Sequence, residues 1–245
     1  MRPAPTLLWF NNSIHKLCTR FAPPNRTSIG DLLVYRFEEQ SIYTAILLKT
    51  VRYVSGLNAG NLLLLNGFLQ ELGALQRSIG DFEQDCTFLA LACILDEITE
   101  DHQLFLASFW EEEPDYQTYA SNQKNKHEVP RKNIQRYISL STNGGFPNHT
   151  EIAAAKHLSR FYSGYIHGAA PHLMDMYNPD RLEFEVDGNT STNLFKDHLH
   201  DFENYLFRGV GLISTVANVL GDEELKREAL SLHERLKPHY TKQLT

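Results

Sequence analysis

Residues 81–99 read DFEQDCTFLALACILDEIT, and the fold turns on this stretch. Its centre, FLALACIL at residues 88–95, is apolar throughout. Wound as a helix it would be apolar around much of its circumference, the pattern of an element enclosed by others. It is far shorter than the ~20 apolar residues that cross a bilayer. Gly80 and Asp81 predict a helix start just before it. Upstream, 62–79 (LLLLNGFLQELGALQRSI) reads as another helix, separated by SGLNAGN at 55–61 from one over 31–57. In that first helix Leu33, Phe37, Ile42, Ala45, Ile46, Lys49 and Tyr53 mark mixed faces at three- and four-residue steps. Downstream, helices are predicted at 101–113, at 131–140 after Pro130, at 150–168, at 193–221 and at 222–240.

These segments predict an all-α fold, a single helical-bundle domain of about seven to eight helices spanning 31–245. Residues 1–30, with Pro23-Pro24, are expected to form an irregular N-terminal arm. A polar, loop-rich segment lies near 111–149. At most one small β-hairpin is expected, near 182–188, where Leu182, Phe184 and Val186 alternate before Asp187-Gly188.

The chain has 245 residues, is 42% hydrophobic and carries a formal charge of −7, which argues against a protein built to coat nucleic acid but leaves room for a local basic patch. Its three cysteines, Cys18, Cys86 and Cys93, lack metal or redox spacing and fit buried thiols in a reducing compartment. No signal peptide or spanning helix is predicted, so a cytoplasmic protein without a membrane partner is expected. No P-loop, GxGxxG, GxSxG or HExxH occurs, and no cofactor is implied.

The densest chemistry lies at 157–177, HLSRFYSGYIHGAAPHLMDMY. On a helix His157, Arg160, Gly164 and His167 form one stripe. Gly164 in mid-helix costs about 1 kcal/mol relative to alanine, so something is expected to approach the backbone there. His167 falls in the last turn, where the dipole favours positive charge. Metal is not expected: His157 and His167 are about 15 Å apart along a helix, and His198 and His200 point to different faces. Arg77, Asp81 and Asp85, with His157 and Asp175, are candidates for a supporting polar cluster; the other reading of these acids is N-terminal charge on a helix. Met174 and Met176 suit a packed interface.

The segment RFYSGYIH, Arg160 to His167, resembles the HEPN superfamily, whose hallmark is an arginine, four to six intervening residues and a histidine. Here six residues intervene, and Phe161 stands where the family commonly has a polar residue. The wider likeness is to uncharacterised bacterial helical proteins with a YSGYIHG-type segment. The resemblance implies a metal-independent ribonuclease of bacterial stress or phage defence, with a site assembled across a homodimer. His167 would be the general acid or base and Arg160 the phosphate clamp. Tyr162, Tyr165 and His172 would contact RNA, Tyr162 or Tyr165 by stacking on a base, and Lys124, Lys126, Arg131 and Lys132 would follow the backbone. The alternative is a non-catalytic helical interaction or dimerisation protein in which 157–177 is packed against a partner.

Overall fold

The computed structural model describes residues 3–111 and 128–241. The fold is all-α, with nine helices and two small two-stranded sheets among the described residues. In chain order these are α1 (Pro3–Cys18), β1 (Asn25–Ile29), β2 (Leu32–Arg36), α2 (Ile42–Leu65), α3 (Leu69–Leu95), α4 (Glu100–Trp110) and α5 (Arg131–Thr142). There follow α6 (His149–Ile166), α7 (Ala170–Met174), β3 (Tyr177–Asn178), β4 (Glu183–Phe184), α8 (Asn193–Val219) and α9 (Glu223–Thr241).

The enclosed helix is α3. It packs against α2 on one side and α8 on another, with α5 and α6 on its remaining flanks. Leu72, Ile79, Phe88 and Leu89 along it are fully buried, and Tyr53 of α2, Phe10 of α1 and Phe202 of α8 close the core around them. Each such side chain contributes about 1.5–3 kcal/mol on burial. No helix of the described residues is long and apolar enough to cross a membrane.

Three expectations are corrected by this packing. SGLNAGN does not break a helix: α2 runs through it, and its glycines serve close approach. A Cβ on Gly56 would stand 2.8 Å from the Ile79 side chain, and one on Gly60 would stand 2.9 Å from the Phe202 ring. Gly80 and Asp81 do not start a helix either. The break comes earlier, at Asn66–Phe68, where Gly67 takes a φ of +74° and α3 begins. Finally, residues 3–18 of the supposed arm form α1, whose Leu7, Phe10 and Leu17 enter the core.

Residues 31–36, read as the start of a helix, belong to an antiparallel hairpin turning at Gly30-Asp31, with Ile29 opposite Leu32 and Asn25 opposite Arg36. The later hairpin pairs Tyr177 with Phe184 and Asn178 with Glu183, so its turn lies at 179–182 and not at Asp187-Gly188. Of the cysteines, Cys86 is buried as expected, its thiol pushed up to about 12 by desolvation, whereas Cys18 is exposed.

Candidate functional site

α6 starts at Asn148, whose side-chain oxygen accepts from the N–H groups of Thr150 and Glu151 at 3.1 and 3.3 Å. It stops at His167, whose N–H donates to the Ser163 carbonyl, and the chain then reverses through Gly168 at a φ of +60°. Pro171 in the first turn of α7 forbids continuation of the preceding helix. The short α7 folds back, so the His172 ring lies where a Cβ of Gly164 would be and stacks on Tyr165 with ring centroids 4.0 Å apart. This accounts for the mid-helix glycine. Gln70 of α3 donates to the His172 carbonyl at 2.6 Å, and the Tyr165 ring lies over Gly73 of α3. α7 is thereby anchored to the central helix.

The side of α6 that carries Arg160, with Gly164 at its edge, points away from α3. His149, Lys156, Arg160 and His167 follow one another at steps of seven, four and seven and are all exposed. At about 100° per residue these steps keep the four within about 40° of one direction along roughly 27 Å. Glu151, the only acid of α6, lies on the far side. Among the described residues, neither Arg160 nor His167 has a side-chain hydrogen bond or ion pair. His157 is likewise exposed, a neighbour on the same side. In a chain of formal charge −7, these four basic side chains stand along one side of α6 with no acid of that helix among them.

The remaining candidates are distributed differently. Tyr162 is 5% exposed, donates its phenol to Asp201 at 3.1 Å and is packed by Phe161, Tyr165 and Tyr205. Its burial corrects the expectation that it stacks on a base. Tyr165 is half-buried between Gly73 and His172; desolvation pushes its phenol up to about 12, so it is a hydrogen-bond donor at neutral pH. The exposed ring beside Arg160 is Phe161, at 45% exposure. Arg131 does not follow a substrate backbone: its guanidinium is engaged by Asp85 and lies 3.7 Å from an Asp81 oxygen. Lys132 is exposed on α5, and Lys124 and Lys126 lie outside the described residues.

The predicted polar cluster divides. Arg77, Asp81 and Asp85 come together on α3, where Arg77 pairs with Asp81 and Arg131 joins the two acids. His157 and Asp175 are not part of it; both are exposed elsewhere. The partner that the sequence reading missed is Lys49 of α2, 2.8 Å from Asp85, its ammonium set among the rings of Phe82, Phe105 and Phe109 at 5.2–5.6 Å. The signal was present: a lysine on the stripe of Ala45, Ile46 and Tyr53 needs a buried acid.

The Arg208–Glu83 pair escaped notice, and His198, considered only as a metal ligand, has another setting. Arg208 of α8 forms a two-contact pair with Glu83 of α3, Nε to Oε1 at 3.0 Å and Nη2 to Oε2 at 2.6 Å. Desolvation raises the Glu83 carboxyl against the pull of Arg208. His198 is 6% exposed, with Nε2 3.4 Å from the Tyr165 hydroxyl, and burial lowers its pKa. Among the described residues no group of three or more His, Cys, Asp or Glu side chains is disposed to hold a metal ion. No protein-family model matches the chain, and neither a curated protein nor a solved structure matches it.

Proposed function

We propose that the outward face of α6 is the reactive surface of a metal-independent, HEPN-like ribonuclease, with Arg160 and His167 as the working pair. The observation that carries this reading is their joint exposure on one side of α6, without a side-chain partner among the described residues. A structural arginine and histidine would instead be expected to meet acids, as Arg131 and Arg208 do. His167 takes a proton from the ribose 2′-hydroxyl or returns one to the leaving oxygen, and Arg160 neutralises charge on the scissile phosphate. Lys156 and His149 extend the strip along which a polyanion would lie. A second copy completes the site in this reading, and the exposed Leu158, Phe161 and Ile166 of α6 supply apolar surface for that contact. Action in bacterial stress or phage defence is part of the same proposal.

The test is cleavage of total RNA and of tRNA in EDTA by the wild type, Arg160→Ala and His167→Ala, each checked for helicity by circular dichroism. The wild type is expected to cleave and each folded variant to lose about a hundredfold or more in rate. Absence of cleavage by the wild type, or equal rates in the variants, would contradict the proposal. A second reading, a non-catalytic partner surface, draws on the exposed Leu173, Met174, Leu182, Phe184 and Val186 beyond α6. It predicts that apolar-to-polar changes there alter oligomeric state while RNA remains intact.

A further inference from the structure

Beneath α6, on the side opposite Arg160, the helix does not close fully onto α3. Gly80 of α3 faces Ala154, Ala155 and Ser159 of α6 across a cleft, and these small residues leave room that larger ones would fill. Two adjoining cavities of about 230 and 240 Å³ share Gln84, Glu151, Ala155 and Arg208 as walls. Together they reach the range of about 300–1,000 Å³ typical of small-molecule sites.

The walls have a definite chemistry. Ile138 and Ile152 line one cavity and Leu158 the other, giving an apolar body. Tyr162 and Tyr205, at 5% and 6% exposure, line the second cavity. Two guanidinium groups, Arg77 and Arg208, border it as well. Arg208 donates from Nε to Glu83 at 3.0 Å and holds Nη2 2.6 Å from its other oxygen as an ion pair, and its Nη1 has no partner among the described residues. Arg77 uses Nη1 on Asp81. Of the two acids on the walls, Glu83 is ion-paired to Arg208, and Glu151, at the exposed rim, accepts from the Asn143 amide at 3.0 Å through one oxygen. The cleft therefore offers unspent guanidinium N–H donors next to an apolar channel, with Glu151 at its rim.

We infer that this cleft binds a small organic anion, its carboxylate between Arg77 and Arg208 and its apolar body along Ala155, Ile152 and Leu158. A guanidinium pair favours an oxyanion because charge-assisted hydrogen bonds are about twice as strong as neutral ones. The site is separate from the outward face of α6 and does not depend on the ribonuclease reading.

The full-length protein should be titrated calorimetrically with octanoate, phenylbutyrate and indolepropionate, each beside its primary amide. At least one carboxylate is expected to bind with a Kd below about 1 mM, and its amide about tenfold or more weaker. Ala155→Phe, which fills the cleft, is expected to abolish binding while helicity is retained, and Arg77→Gln to weaken it about fivefold or more. Arg77→Gln serves as the deciding variant if Ala155→Phe fails to fold. Absence of binding by all three carboxylates, amides that bind as well as the acids, or folded variants that bind like the wild type would overturn the inference.

Discussion

Asp85 joins three helices through one carboxylate. It is completely buried on α3 and holds Lys49 of α2 at 2.8 Å and Arg131 of α5. Asp85→Asn keeps the shape but sets an uncharged amide against the Lys49 ammonium, while Arg131 retains Asp81, so it is expected to lower stability by about 1–3 kcal/mol in urea unfolding. A loss under about 1 kcal/mol would show that the pair is not holding these helices together. Gly73 makes a steric counterpart. A Cβ there would come within 2.6–2.7 Å of the Tyr165 ring, close to its root, where the side chain cannot swing away. Gly73→Ala is accordingly expected to cost about 1–3 kcal/mol by overpacking, more than the helix propensity it gains. At this scale the sequence was informative about single residues and silent about their partners. The cost of Gly164 was legible and its cause, the His172 ring, was not, because a close approach from the next helix depends on how the chain turns at Gly168. Likewise Asp85 stood out as an acid in an apolar helix, but Arg131 was assigned to substrate because nothing local distinguishes an ion-paired guanidinium from a free one.

Elements with strong periodicity were legible: α4, α5, α6, α8 and α9 lie within a few residues of where their patterns put them. Those that failed have physical reasons. The Asp31 to Arg36 stretch carries apolar residues at spacings compatible with either period, and the Gly30-Asp31 turn decides for the hairpin. α1 was missed because Pro23-Pro24 were taken to mark all of residues 1–30 as irregular, whereas they lie beyond its end at Cys18, and Pro3 and Pro5 sit in its first turn, where a missing N–H costs nothing. The β1–β2 hairpin is exposed on nearly every residue, with Leu32 at 69% and Tyr35 at 65% exposure. It contributes little to the core, and Leu32→Ser with Tyr35→Ser is expected to shift stability by no more than about 0.5 kcal/mol per site. Loss of more than about 1.5 kcal/mol in denaturant unfolding would mean that the ribbon is packed against the body in solution.

Across the whole molecule, two buried histidines link stability to pH. His102 is fully buried, stacked on Phe88 at 3.8 Å; its Nδ1 accepts from the Thr99 N–H at 3.1 Å while Nε2 lies 3.3 Å from the Phe88 carbonyl. Protonation would put a second donor against the Thr99 N–H. Burial lowers the pKa of both His102 and His198, so the unfolded chain binds protons more readily below about 6.5 and stability falls as pH drops through that region. The raised Glu83 carboxyl acts with the opposite sign, gaining protons in the folded state first above the ordinary glutamate value. His102→Asn isolates the histidine contribution. Between pH 7.5 and 5.5, roughly one unit either side of an ordinary histidine, the wild type is expected to lose more urea midpoint than this variant. Equal slopes would contradict the assignment.

A chain that is acidic as a whole presents Arg160 and His167 together on the exposed side of α6, and we propose that this pair cleaves RNA without metal. The most direct measurement is the chemistry of the 3′ ends produced from a defined tRNA in EDTA. Attack by the ribose 2′-hydroxyl, assisted at His167, predicts 2′,3′-cyclic phosphate ends that disappear in His167→Ala. Ends bearing a free 3′-hydroxyl, ends that persist in the variant, or a tRNA that stays intact would contradict it.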